Sequence, residues 1–238
     1  EISEHLEALD RFLARCEEQQ LYIKLSKCIF CAEEIPALGD FVGRNGVRMD
    51  PDKVRAIADW PTPKTRSEMK QFLGTVSYNQ KYCRDFGSLV APLHASTKGK
   101  GKNELLKLST QQLEAFSTLK QRMASAPVLA LPNFTKEFKI RMDASDYAIG
   151  GALLQEDSTG NERVVAYAGR KLTPAELNYD VRERELLAIL HALRQWRPYL
   201  LDRPFEVETD HHSLQSLLTQ KTCSRRLIRW LNELSEFS

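Results

Sequence analysis

The chain has 238 residues, 28% of them charged and 42% hydrophobic, with a formal net charge of +2 at pH 7, which predicts a globular protein of one large or two modest domains. So even a balance excludes any inference about partners from overall charge, and five scattered cysteines exclude a disulfide framework and favour a reducing compartment. No apolar run approaches bilayer length and no charged-then-apolar leader opens the chain, so an intracellular, cytoplasmic or nuclear, location with no membrane partner is expected.

Ile2, Leu6, Leu9, Phe12, Leu13 and Cys16 recur at helical spacing behind acids in the first turn, so the chain should open on an amphipathic helix. Residues 21–25 and 27–31 have the composition of short strands, and a turn-rich stretch with Gly39, Gly43, Asn45 and Gly46 follows. Cys28 and Cys31 have metal-like spacing, but on a strand they face opposite sides, and no second close pair accompanies them. Asp50-Pro51-Asp52 is a helix start, with Asp50 as N-cap and Pro51 where its missing N–H costs nothing; Trp60-Pro61-Thr62-Pro63 ends that helix. Thr65 and Glu68 form a capping box ahead of Met69, Phe72, Leu73 and Val76.

Residues 97–103 hold lysines and glycines without an apolar side chain and predict a flexible connection. Ser109 and Gln112 then cap a helix whose buried stripe is Leu113, Phe116, Leu119 and Met123, and Pro127 and Pro132 bracket an extended run. Basic residues crowd the middle of the chain (Lys98, Lys100, Lys102, Lys107, Lys120, Arg122) and its end (Lys221, Arg225, Arg226, Arg229), either as solvated faces or as contacts for nucleic-acid phosphates.

From residue 137 the order strand, strand, strand, helix, strand, helix, helix predicts a mixed α/β unit. The strands are 137–142, 148–155 and 163–167; capping boxes at Thr173/Glu176 and Asp180/Glu183 precede a helix with Leu186, Leu190 and Leu193 on its apolar face. Leu227, Trp230, Leu231, Leu234 and Phe237 make the stripe of a last helix. Asp143 and Asp210 each close a strand on its polar face, and Glu185 sits early in the helix. Hard divalent cations take carboxylate oxygens, which makes Asp143, Glu185 and Asp210 a candidate metal site. Each also has a bland role, as turn former or solvated helix residue. Ser145 and Asp146 either bind a phosphate or shape the turn, and His211 and His212 either cap the next helix or touch substrate or metal.

Several motifs stand in a telling order: Leu25-Ser26-Lys27-Cys28-Ile29-Phe30, Gly46-Val47-Arg48-Met49-Asp50-Pro51-Asp52, Trp60-Pro61-Thr62-Pro63, Phe72-Leu73-Gly74, Ala126-Pro127-Val128-Leu129, Met142-Asp143-Ala144-Ser145-Asp146, Arg184-Glu185-Leu186-Leu187-Ala188-Ile189, Arg197-Pro198-Tyr199-Leu200 and Thr209-Asp210-His211. In that order they resemble the Pol polyprotein of gypsy-type long-terminal-repeat retrotransposons. The resemblance implies the end of the reverse transcriptase palm at 1–50, a thumb at 51–97, a connection at 98–136 and an RNase H-like domain, truncated at its C-terminus, at 137–238. The implied fold is α/β (α+β), an RNase H-like mixed sheet with flanking helices behind a mainly helical thumb and connection.

The implied activity is metal-dependent endonucleolytic cleavage of RNA in RNA–DNA hybrids. Mg²⁺, or Mn²⁺ in its place, would sit on Asp143, Glu185 and Asp210, and Ser145, His211, Arg225, Arg226 and Arg229 are candidate substrate contacts. The paired polymerase aspartates of the family are not in this sequence, so no DNA synthesis is expected of it. The family pattern continues into a further metal-binding aspartate that is expected beyond Ser238. Two other functions fit the same motifs: a domesticated fragment with a protein partner and a regulatory role, and a non-cleaving binder of hybrid or template-primer.

Overall fold

The protein is described here from a computed structural model covering residues 2–209 and 224–237. Helices α1 (Ile2–Glu18), α2 (Pro51–Ala58), α3 (Arg66–Tyr78), α4 (Phe86–Ser96) and α5 (Thr110–Ala124) dominate the first half. Their starts are set by local chemistry. Asp52 N–H donates to Asp50 Oδ1 at 2.8 Å, Glu68 N–H to Thr65 Oγ1 at 3.3 Å, and Ser109 and Gln112 exchange both bonds of a capping box. The Glu68 carboxylate also accepts from Lys64 N–H, at 2.7 Å.

Ile57, Met69, Phe72, Val76, Leu93, Phe116, Leu119 and Met123 form one buried core, in which the Phe72 ring lies 4.7 Å from Phe116 and 5.7 Å from Trp60. This core draws on residues from both sides of the 97–103 connection.

Two expectations fail here. Residues 21–31 form no strand, only a 3₁₀ turn at Leu25–Lys27; a strand needs a partner edge, and side chains such as Tyr22 and Leu25 stay exposed. The turn-rich stretch after them instead carries a meander of β1 (Glu34–Ala37), β2 (Asp40–Gly43) and β3 (Gly46–Met49), in antiparallel order β1-β2-β3. Its glycines punctuate hairpins: Leu38 and Gly39 take φ of 52° and 83°, the left-handed pair that a two-residue hairpin turn needs. The extended run after Pro127 joins this meander, with Val47 and Leu129 exchanging both backbone bonds at 2.8 Å. The next residue, Ala130, donates to Val164 O at 2.7 Å.

Val164 belongs to a second sheet, ordered β6-β5-β4-β7, from β4 (Phe138–Ala144), β5 (Ala148–Glu156), β6 (Glu162–Lys171) and β7 (Phe205–Glu208). The first three run antiparallel to their neighbours and β7 runs parallel to β4, so the sheet is mixed. Strand parity places Phe138, Ile140 and Met142 of β4 with Ile149 and Leu153 of β5 under α6 (Val181–Gln195), whose Leu186, Leu190 and Leu193 are buried. After the short α7 (Arg197–Leu200), α8 (Arg225–Leu234) adds Leu227 and Trp230 to the same core. On the opposite face of β4, Arg141 bridges Glu162 at 2.9 Å and Glu208 at 2.6 Å.

That opposite face also receives α4. Gly169 of β6 pairs with Gly150 of β5, which pairs with Asp143 of β4, so these residues share a face. A Cβ on Gly169 would come within 3.5 Å of Gly87 N, and one on Gly87 would meet the backbone N and C of Arg170 at 2.8 Å. Backbone rests on backbone where the two bodies meet.

Two groups near the Arg170 side chain make stability pH-dependent. Burial, then the charges of Arg170 and Arg194, push the His191 imidazole down to about 4, against an ordinary 6.5. Burial would raise the Glu176 carboxyl, but the Arg170 guanidinium and the Thr173 N–H outweigh it and hold it at about 2, against 4.5. Below pH 6.5 the unfolded chain takes up a proton at His191 that the fold refuses, so stability falls as pH drops toward 4; Glu176 adds a second loss between 4.5 and 2. Urea midpoints across this range should show a loss on the order of 2 kcal/mol from His191 alone. His191→Gln should flatten the upper part of the curve, and an unchanged curve would refute the assignment.

Candidate active site

Asp143 is the penultimate residue of β4 and is exposed, with Oδ1 accepting the Ala144 N–H at 2.8 Å. No basic side chain among the described residues pairs with it; Arg141, two positions earlier, is taken by Glu162 and Glu208. Beside it the β4–β5 contact is tight. A Cβ on Gly151 would lie 2.1 Å from Arg141 O, so only glycine lets the two strands close up here.

The turn after Asp143 is built by Ser145, whose N–H and hydroxyl both donate to Ala148 O, at 2.8 and 2.9 Å, and whose hydroxyl accepts the Ala148 N–H at 3.1 Å. Of the two roles open to Ser145, the geometry supplies the turn. Arg184 reaches this turn from α6, donating to Asp146 Oδ1 at 2.9 Å and to Ser145 O at 3.3 Å. Its side chain is largely buried. The next residue is Glu185, a carboxylate only 2% exposed. Arg184 therefore seats the start of α6 at the end of the sheet where Asp143 stands, a role the Arg-Glu pair in the motif hints at without revealing.

The helix start is made by Asp180, which accepts the Glu183 N–H at 2.8 Å. The Glu183 carboxylate turns outward from the expected box to Arg226, with both oxygens 2.5 Å from Nη2. The Arg226 guanidinium lies 3.9 Å over the Tyr179 ring and 5.7 Å from Trp230. Arg226, a candidate substrate contact, thus ties α8 to α6 through Glu183. Arg225 and Arg229 are exposed. Asp210 and His211, with His212, lie outside the described residues. Among the described residues no three acidic, histidine or cysteine side chains gather as a metal cage, and no helix is long and apolar enough to cross a membrane.

A mixed sheet with a strand-end aspartate, backed by a helix with a buried glutamate, is the framework of an RNase H-like domain. Residues 133–237 match the RNase H-like domain found in reverse transcriptase.

The whole chain aligns with transposon polyproteins. It is 34% identical over 236 residues to the retrovirus-related Pol polyprotein from transposon 297 of Drosophila melanogaster, covering 99% of this chain and 22% of that protein. It is 35% identical over 243 residues to the corresponding protein from transposon opus of the same fly, covering 98% and 24%. Against the Tf2-3 transposon polyprotein of Schizosaccharomyces pombe it is 32% identical over 240 residues, covering 99% and 18%. The chain is thus similar over nearly its whole length to retrotransposon Pol polyproteins and spans less than a quarter of these relatives' length.

Solved structures share the fold. The foamy viral protease-reverse transcriptase dRH in complex with double-stranded DNA superposes with a TM-score of 0.82 at 22% identity, covering 99% of this chain and 42% of that one. The foamy viral protease-reverse transcriptase in complex with RNA/DNA hybrid gives 0.79 at 22%, covering 99% and 32%.

Proposed function

We propose that the C-terminal body cuts the RNA strand of RNA–DNA hybrids, using divalent cations held by Asp143, Glu185 and Asp210. The observation that carries this reading is the Arg184 contact with the Ser145–Asp146 turn, which brings Glu185's end of α6 to Asp143. The third carboxylate, Asp210, follows Glu208 of β7 by two positions in the sequence. The donor set is all oxygen, which suits Mg²⁺ with Mn²⁺ as a substitute. Such ions supply Lewis acidity at the scissile phosphate and charge to offset three crowded carboxylates. The chain's own part is to hold those carboxylates, with Arg184 as a positioning residue and Arg225 and Arg229 offered to backbone phosphates.

The preceding segments are proposed as palm end (1–50), thumb (51–97) and connection (98–136), which would grip the same hybrid. A foamy viral relative in fold, solved with RNA/DNA hybrid, supports that choice of partner. The test is a hybrid labelled on each strand in turn, incubated with the purified chain and Mg²⁺ or Mn²⁺. Cleavage of the RNA strand alone, abolished by a chelator, is the expected result, and a hybrid left intact with both ions would overturn it.

A further inference from the structure

The basic middle of the chain divides into two groups. Lys100 bridges Glu104 at 3.0 Å, Lys120 donates to Trp60 O at 2.6 Å, and Arg122 reaches Asp85 at 3.4 Å. Lys98 is not part of that group. It lines a cleft of about 560 Å³ where the start of α3, the end of α4 and the end of β6 meet, together with Arg66, Lys70, His94 and Lys171. No carboxylate lines this cleft. Glu104 lies near enough to feel the Arg66 charge, but its oxygens accept from Lys100 Nζ at 3.0 Å and Gly101 N–H at 2.8 Å.

A convergence of like charges with no acid among its walls is unfavourable until an anion joins it. A separate observation points the same way. Arg66 Nε is buried without a hydrogen-bond partner among the described residues, a desolvated donor that a native fold normally satisfies. Burial and then the Lys171 charge push the His94 imidazole below its ordinary value, so the positive potential reaches into the cleft.

We propose that this cleft is an anion site that takes a phosphate group, from either a nucleic-acid backbone or a free polyphosphate. Phosphate suits it better than a carboxylate, because several oxygens sharing one or two charges can engage a guanidinium and several ammonium groups at once. The site is built where the helical body meets β6, none of the three carboxylates lines it among the described residues, and it does not depend on whether they cut RNA.

The test follows the ring resonance of His94, assigned by loss of the signal in His94→Gln, through a pH titration with and without pyrophosphate. Bound anion should raise the His94 midpoint by about one pH unit. The double variant Lys70→Ala/Lys171→Ala should bind at least tenfold more weakly; both lysines are exposed, with no side-chain bond among the described residues, so the fold should survive. Titration with an RNA–DNA hybrid separates the sources. If a backbone phosphate is the natural occupant, the double variant weakens hybrid binding and makes its salt dependence shallower by roughly 1.5–2 in log–log slope. Hybrid binding unchanged by the variant, with the pyrophosphate response present in the wild type, assigns the site to a free polyphosphate. A His94 titration moved by neither ligand, or moved equally in the double variant, overturns the proposal.

Discussion

Asp143→Asn should leave the fold intact and lower hybrid cleavage on the order of a thousandfold or more. Loss of an outer partner of a metal ligand typically costs about ten- to a hundredfold, and loss of the ligand's charge should exceed that. The change is nearly isosteric. The amide oxygen can still accept the Ala144 N–H, and the side chain is exposed at a strand end, so no core contact is lost. The measurement is single-turnover cleavage of a hybrid with end-labelled RNA, by this chain and by a longer Pol polypeptide carrying it, beside a thermal melt. An unchanged rate would remove Asp143 from the chemistry, and a collapsed melt would make the loss a folding effect. Ser145→Ala is the useful contrast, since it removes a turn hydroxyl and no charge.

The second large effect is expected of Gly87→Val. What its side chain would meet is the backbone of Arg170, at 2.8–2.9 Å, and not the yielding tip of another side chain. Gly169 beneath is equally hemmed in, its own Cβ position lying 2.9 Å from Ile149 O. Relief therefore requires α4 to lift from β6, which parts Val164 from the helical core it packs against. Overpacking costs about 1–3 kcal/mol, and a contact with backbone on both sides belongs at the top of that range. Urea unfolding measures it, with Gly87→Ala expected to show a smaller loss of the same sign. A loss under about 0.5 kcal/mol, the scatter of ordinary surface changes, would mean the two bodies are not in contact there.

What was legible in the sequence was what short-range chemistry decides. Asp50, Thr65, Ser109 and Asp180 each cap the helix their spacing announced, because a cap and its N–H lie within three residues of one another. Alternation located β4, whose Phe138, Ile140 and Met142 are buried while the residues between them are not. Helix α4 escaped notice because it opens after Asp85 in a left-handed conformation and carries Pro92 within it, signals that ordinarily mark a break. Residues 21–31 have the composition of strands without an edge to join. At the site, motif order brought Asp143 and Glu185 to attention, but the reach of Arg184 to residue 146 and the capture of Arg226 between Tyr179 and Trp230 are tertiary facts. The Arg184–Asp146 and Arg226–Tyr179 contacts span dozens of positions and leave no local periodicity to find.

The run between Pro127 and Pro132 bears on how the molecule can bend. A tether would let the two bodies swing, but this one is stitched on both sides, by two bonds to Val47 and one to Val164, all 2.7–2.8 Å long. Flexing at this point means breaking backbone bonds in two sheets at once. The joint is a weld and not a hinge, so a change at the helices meets β6 through bonded backbone and not through a slack linker.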